Sequence, residues 1–341
     1  LNLDPVLEKL QEEIQDANFI KHLAKTLLLD NQHRVRLVMK PDIDLGRVKE
    51  QQEKHRLAEI QKGLSEEQKQ KIVDEAVALK NRQEMEEDLE ILPKVGIEDI
   101  PADIFYAEKN AVSQSHIPLT SYNAGTNGIV YQQVIMVMPE LTSEEMDLLP
   151  LYSTCVTEMG VGKRDYMSTQ LWHSSLVGSY SASASVRSNK DSLEQLHGNL
   201  SFSAKGLASN QSAMTDLMQQ SIEHARFDEL PRLRELVAQI RSSRESSIVG
   251  NGHVMAMIAS ASGLSSNAHL TQRWSGLTGL SLLKLLDNGL DVQGLEKLAS
   301  QLRDIHAKII KQPRQLLLVA EHERLDSFSA QMQSSFSDVS I

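Results

Sequence analysis

A single cysteine, Cys155, in 341 residues leaves no intrachain disulfide and no cysteine-rich zinc site. Aromatic residues make up 4% of the chain, too few for the stacking platforms that hold single-stranded nucleic acids. Positive charge is also short. Against 46 acidic residues stand 35 Lys and Arg, and the formal net charge of -11 repels a phosphate backbone at long range. No dense Arg/Lys cluster reverses that locally, so nucleic acid is excluded as a partner. No run reaches the roughly 18 apolar residues of a membrane span, which excludes a spanning helix. What is present is the composition of one or two folded domains, 40% apolar and 24% charged. Their core must come from Leu, Ile, Val, Met and Ala, a set that suits helices. Leu1 already lies in a helix-forming run, with no signal or transit segment before it, and reads as a cut within a longer polypeptide.

Apolar residues from Leu3 to Leu29 recur at helical spacing, interrupted near Asp16-Ala17-Asn18, and His33 to Lys40 then reads as a strand ended by Pro41. One helix and one strand cannot bury their own apolar faces and need a sheet that is not found upstream. Asp44 is placed to cap a helix running to Gln61-Lys62, Gly63 to stop it, and Ser65-Glu66-Glu67-Gln68 to open a second helix through about Glu90 with a capping box. The short junction predicts an antiparallel hairpin, thinly apolar and heavily charged, which suits a spacer between larger bodies. Pro93 and Pro101 then break helix twice.

Beyond them, Ile117 to Ala124 and Gly128 to Met138 read as strands joined through Gly125-Thr126-Asn127, the second dense enough in apolar residues to be central. A helix capped at Thr142 or Ser143 runs to about Met159, and another follows Gly160-Val161-Gly162. Two polar strands, Gly178 to Arg187 and Leu196 to Gly206, come next. The serines of the first alternate with Ala and Tyr, and so form a small hydroxylated face suited to close packing. Helices are expected over 210–225, 228–247, 250–262, 279–286 and 291–311, then a strand over Arg314 to Glu321 and a poorly anchored Ser- and Gln-rich tail. The helix-then-strand order of residues 7–40 is echoed over 292–321, as if two similar units closed in the same way.

Hydrolytic zinc sites on a helix need two histidines one turn apart and a carboxylate, as H-E-x-x-H or H-x-x-E-H. None of the eleven histidines fits either pattern. His322 stands between two glutamates, but neighbours on a strand point to opposite faces and cannot chelate together. No serine occupies a G-x-S-x-G elbow, and Cys155 falls in an apolar helical run, where a buried inert thiol is expected. Gly160-Val161-Gly162-Lys163-Arg164 lacks the G-x-x-x-x-G-K-[ST] spacing of a phosphate loop and reads as a turn. His197 is the best residue for substrate contact, and Arg187 and Lys205, near the strand ends, could meet a peptide carboxylate; surface roles compete with all three. The expected site list is therefore empty: no catalytic, cofactor-binding or metal residue.

Residues 19–42 (FIKHLAKTLLLDNQHRVRLVMKPD), the charged hairpin after them, and residues 118–141 and 149–189 together resemble the presequence-degrading type of the pitrilysin-like (M16) zinc metallopeptidases. The match rests on the order of elements, not on a catalytic signature. It implies an α+β fold: a layered sheet-plus-helices domain of the pitrilysin-like type, preceded by a long antiparallel helical hairpin. It implies residues 1–41 as the end of a preceding α/β domain, 42–95 as the hairpin linker, 101–325 as a third, non-catalytic peptidase-like domain and 326–341 as a tail. In that family the inverted zinc motif lies in the first domain, and the assisting arginine and tyrosine lie in the fourth. Arg164, Asp165 and Tyr166 have the wrong spacing and position for the latter. The resemblance therefore implies zinc in a parent enzyme and none in this segment. Its expected partners are the catalytic half and final domain of the same polypeptide, and an unstructured peptide substrate. The implied location is cytoplasmic in bacteria or an organelle matrix in eukaryotes. Two other readings compete: a catalytically inactive peptidase-like assembly protein, and an unrelated helical scaffold in which 101–325 form no single layered domain.

Overall fold

The computed structural model describes residues 4–86, 91–103, 109–113 and 117–337. The chain divides into two compact units, Leu1–Pro101 and Ala102–Ile341.

In the first unit, α1 (Asp4–Glu13) and α2 (Phe19–Ala24) are separated by the polar break at Asp16-Ala17-Asn18, and α2 runs on into a π-helical turn, Lys25–Leu29. The strand expected over His33 to Lys40 does not form. Those residues are extended but unpaired, with Val35 92% and Leu37 80% exposed. A strand needs a neighbour for its backbone groups, and the first unit has no sheet among its described residues. The echo with 292–321 therefore fails in its first copy. Two 19-residue helices follow, α3 (Leu45–Gly63) and α4 (Glu66–Glu84), separated by the extended residues Leu64 and Ser65. Ser65 forms the capping box: its hydroxyl accepts the Gln68 N–H at 3.2 Å, and the Gln68 side chain accepts the Ser65 N–H at 2.9 Å. Asp44 precedes α3 without capping it; its carboxylate instead meets Arg47 at 3.4 Å. The second helix ends at Glu84, and the expected extension to Glu90 falls partly outside the described residues. Neither helix buries a residue, and each is braced by exposed pairs such as Lys54–Glu50 and Lys69–Glu66, worth a few tenths of a kcal/mol apiece.

The second unit is a mixed sheet covered by helices. Its strands are β1 (Lys109–Ser113), β2 (Leu119–Asn123), β3 (Ile129–Val137), β4 (Ser179–Asn189), β5 (Ser192–Leu207) and β6 (Arg314–Ala320), in the order β1-β2-β6-β3-β5-β4. β2 and β3 are consecutive in sequence, yet β6 lies between them, parallel to β2 and antiparallel to β3. The short link from β2 to β3 must therefore step across one strand. Asn127 (φ 52°) and Gly128 (φ 77°) adopt the left-handed conformations this requires, which Asn and Gly tolerate best. Ala124 N–H donates to the Ala320 carbonyl and Gly128 N–H to the Glu321 carboxylate, which fixes the link to the end of β6. β3 is central, as its apolar density predicts.

The helices are α5 (Ser143–Glu158), α6 (Tyr166–Leu176), α7 (Gln211–Glu223), α8 (Leu230–Ser247), α9 (Gly252–Ala261), α10 (Ser266–Trp274), α11 (Leu277–Asn288), α12 (Val292–Ile309) and α13 (His322–Ser337). Thr142 caps α5 in a reciprocal box with Glu145. Within α5, Pro150 has no N–H to offer the Met146 carbonyl one turn back, and the Trp274 indole donates to that oxygen at 2.8 Å instead. No sequence signal points to α10; Ser265 caps it by accepting the Ala268 N–H. The tail expected to be loose is α13, anchored by buried Leu325, Met332 and Phe336 against β2 and β6.

The core lies between one sheet face and these helices. Val130, Val134, Met136, Leu200, Phe202, Leu316 and Leu318 point inward and meet Leu149, Tyr152, Met214, Leu302 and Ile305. The alternation is read directly on β6, whose residues are buried at every second position. The β4–β5 hairpin gives a test of this polarity. Phe202→Ala should lower unfolding free energy by about 3–5 kcal/mol, and Ser183→Ala on the opposite face by less than about 0.5 kcal/mol, measured by urea denaturation.

Candidate functional site

The face of the sheet opposite the core carries the second unit's unusual chemistry. On β4, Ser179, Ser181, Ser183 and Ser185 are exposed, while Tyr180, Ala182, Ala184 and Val186 between them turn inward. The serine row is thus not the packed face expected from its small side chains; the helices cover the Ala/Tyr side. Across the strands, Ser179 pairs with Lys205, Ser181 with Ser203, Ser183 with Ser201 and Ser185 with Asn199. β3 adds Tyr131, Gln133, Ile135 and Val137 in register with Lys205, Ser203, Ser201 and Asn199. The resulting surface is flat and hydroxylated at one side and apolar toward Leu317 and Val319 of β6.

Its charge is unlike the rest of the chain. Of 46 acidic residues, the six strands hold only Glu194, at the projecting end of β5. Lys205 lies at one end of the serine row, and Arg187 lies directly opposite His197 at the other. Asn189 Nδ2 and His197 Nε2 are 3.2 Å apart. All three residues proposed from sequence for peptide contact thus reach the same open face. Lys205 is eight residues along β5 from His197, however, or roughly 26 Å at strand rise, so the three form no single constellation.

The other candidates are structural. Cys155 is fully buried, and burial pushes its thiol up to about 12, the reverse of what a nucleophile needs. Arg164 lies over the Trp172 ring at 4.2 Å. Asp165 caps α6 by accepting the Ser168 N–H, and Arg232 stacks over Tyr166 at 4.8 Å. The apparent phosphate loop has its amides already engaged: Gly160 N–H donates to Glu229, Val161 N–H to the Arg164 carbonyl and Gly162 N–H to the His224 carbonyl. His322 opens α13 and does not lie on a strand. His116 is outside the described residues.

Two histidines sit in the core. His173 Nε2 is 3.2 Å from Ser221 Oγ, and its ring meets Tyr180 edge-on at 5.2 Å. The Ser–His contact resembles the start of a nucleophile–base pair, but both residues are buried and no carboxylate orients the imidazole. His306 Nδ1 is 2.9 Å from Tyr152 Oη. Burial lowers both histidines to about 4, with the Arg164 charge assisting at His173. Among the described residues no three His, Cys, Asp or Glu side chains group to hold a metal ion, so the residues present do not fit a catalytic zinc. No described helix is long and apolar enough to cross a membrane.

Comparison with known proteins agrees with this geometry. The family of segments associated with subfamily C of the M16 peptidases has a model that matches residues 39–286, well over half the sequence. The chain belongs to that family. This peptidase-associated chain is 26% identical over 289 residues to "Presequence protease, mitochondrial" of Xenopus laevis, covering 85% of this chain and 28% of that protein. It is 25% identical over 312 residues to "Presequence protease 1, chloroplastic/mitochondrial" of Arabidopsis thaliana, covering 89% and 28%. It thus spans a little over a quarter of the length of these curated relatives. A solved "peptidase M16 inactive domain from Pseudomonas fluorescens" overlays 68% of this chain and 51% of its own at 11% identity and a TM-score of 0.41, too loose for element-by-element equivalence.

The buried histidines make a pH prediction. Both have folded-state values below the ordinary 6.5, so the unfolded chain takes up protons first as pH falls. Their contribution to stability is complete above about 6.5 and is lost progressively down to about 4. Between pH 7 and pH 5 each should remove roughly 2 kcal/mol, and His306→Gln should halve that slope in urea titrations at the two pH values.

Proposed function

We propose that this chain is the non-catalytic linker and chamber-wall segment of a zinc metalloendopeptidase that degrades short unstructured peptides such as presequences. Family membership and the names of the curated relatives support the enzyme class. The observation that carries the wall reading is the sheet face left bare by the helices, with serine hydroxyls, few charges and one acidic residue in all six strands. Such a face offers hydrogen bonds to any extended backbone and discriminates little between side chains, as confinement of varied peptides requires. On this reading residues 1–41 end the preceding domain, 42–95 form the antiparallel linker, and 101–325 are the third domain, which braces the catalytic half. α13 extends the last of these past the 325 boundary into the segment read as a tail. The peptide substrate and the zinc belong to the complete polypeptide, in the bacterial cytoplasm or an organelle matrix.

The purified chain should hold less than one zinc ion per ten molecules, on the order of background, and leave an unfolded peptide intact. In the complete polypeptide, Ser183→Arg with Ser201→Arg should lower kcat/KM for such a peptide by about tenfold at unchanged zinc content. Zinc-dependent cleavage by the isolated chain would overturn the reading. A complete polypeptide without zinc or activity would favour the assembly-protein alternative.

A further inference from the structure

On the helical side of the second unit, away from the open sheet face, α5, α8, α10, α11 and α12 surround a cleft of about 310 Å³. Its walls are apolar, supplied chiefly by Leu148, Leu151, Ile240, Leu283 and Leu286. One guanidinium lines it without a carboxylate partner. Arg244 of α8 donates from Nη1 to the Trp274 carbonyl at 2.7 Å, and among the described residues no carboxylate pairs with it. Neighbouring arginines differ in this respect: Arg273 grips Asp147 with two nitrogens, and Arg241 reaches Asp287 at 2.6 Å and Glu245 at 3.2 Å.

A guanidinium has five N–H donors in a planar fork, and donors withdrawn from water without acceptors are destabilising. Burial accordingly lowers the pKa of Arg244 below its ordinary value. With Asp147 and Arg273 neutralising each other, the cleft's remaining charges are Arg244, the exposed Lys297 and the exposed Glu144, a balance that favours an anion. The frame is already built. The Trp274 indole is held by the Met146 carbonyl that Pro150 leaves free, and the Trp274 backbone holds Arg244. A preformed frame reduces the ordering that a ligand must impose.

We propose that this cleft binds a monocarboxylate on an apolar body, its carboxylate received by the fork of Arg244 and its body lying among Leu148, Leu283 and Leu286. A planar carboxylate matches the fork bidentately. The volume, at the lower end of the roughly 300–1,000 Å³ of small-molecule sites, admits one short acyl chain or one to two residues at a peptide C-terminus. This site is independent of the wall reading, and neither needs the other.

Calorimetric titration of the chain with decanoate, decanol, N-acetyl-dileucine and its C-terminal amide separates the two sources of such a carboxylate. At least one of the two acids should bind saturably at one per chain, and its uncharged counterpart at least about tenfold more weakly; whichever acid binds tighter identifies the source. Arg244→Gln should weaken the acid at least about tenfold without changing the circular dichroism spectrum. Gln301→Phe, which fills the cleft and leaves Arg244 in place, should abolish binding and serves as the deciding variant if Arg244→Gln does not fold. Absence of binding by both acids, or unchanged affinity in a folded Arg244→Gln or in Gln301→Phe, would overturn the proposal.

Discussion

Everything in the second unit depends on the sheet having one apolar face to hide. Val130, Val134, Met136, Leu200, Phe202, Leu316 and Leu318 lie in adjacent strands, so their side chains form one continuous surface that water must leave. The helices supply the cover. Because all of that cover is needed on one side, the other is free of packing demands and can be made of serine, threonine and glutamine. The open face is thus a by-product of the core before it is a candidate for anything else. Its chemistry follows from the same period of two that builds the interior.

The same burial turns reactive side chains into structure. Cys155, His173, Ser221 and His306 are residue types that elsewhere do chemistry, yet each is sealed from solvent, and desolvation drives the titrating ones away from their useful ranges. Arg244 differs because it faces a cleft instead of the core. A perturbed group therefore says little until its access to an outside molecule is known.

Local signals were legible in the sequence, and non-local ones were not. The capping boxes at Ser65 and Thr142, the polar break before Phe19 and the dense strand at 129–137 all follow from residues close together in the chain, and all appear in the structure. The strand over His33 to Lys40 failed because a strand is completed only by a neighbour. The position of β6 between β2 and β3 was invisible for the same reason, since nothing near Gly125 records which strand will arrive beside it. The serine row was visible as an alternation, but Ala and Ser are both small, and only the helices decide which is covered. α13 was missed because its buried Leu325, Met332 and Phe336 are diluted by serine and glutamine. Of the site, the absence of a zinc-binding histidine pattern could be read directly, whereas the Arg244 cleft is assembled from five helices and left no mark in any one of them.

The insertion of β6 also sets a timetable. β3 is finished at Val137 and β6 begins at Arg314, so a ribosome emitting the chain takes roughly 10 to 35 seconds between them. Throughout that interval the inner edges of β2 and β3 have no strand to hydrogen-bond, and the nascent sheet exists as two unjoined halves. The last strand to emerge is a keystone and not a border. Sequences that slow or truncate translation within that window leave an apolar seam open at the middle of the domain, where a holding chaperone or a second nascent chain would find it.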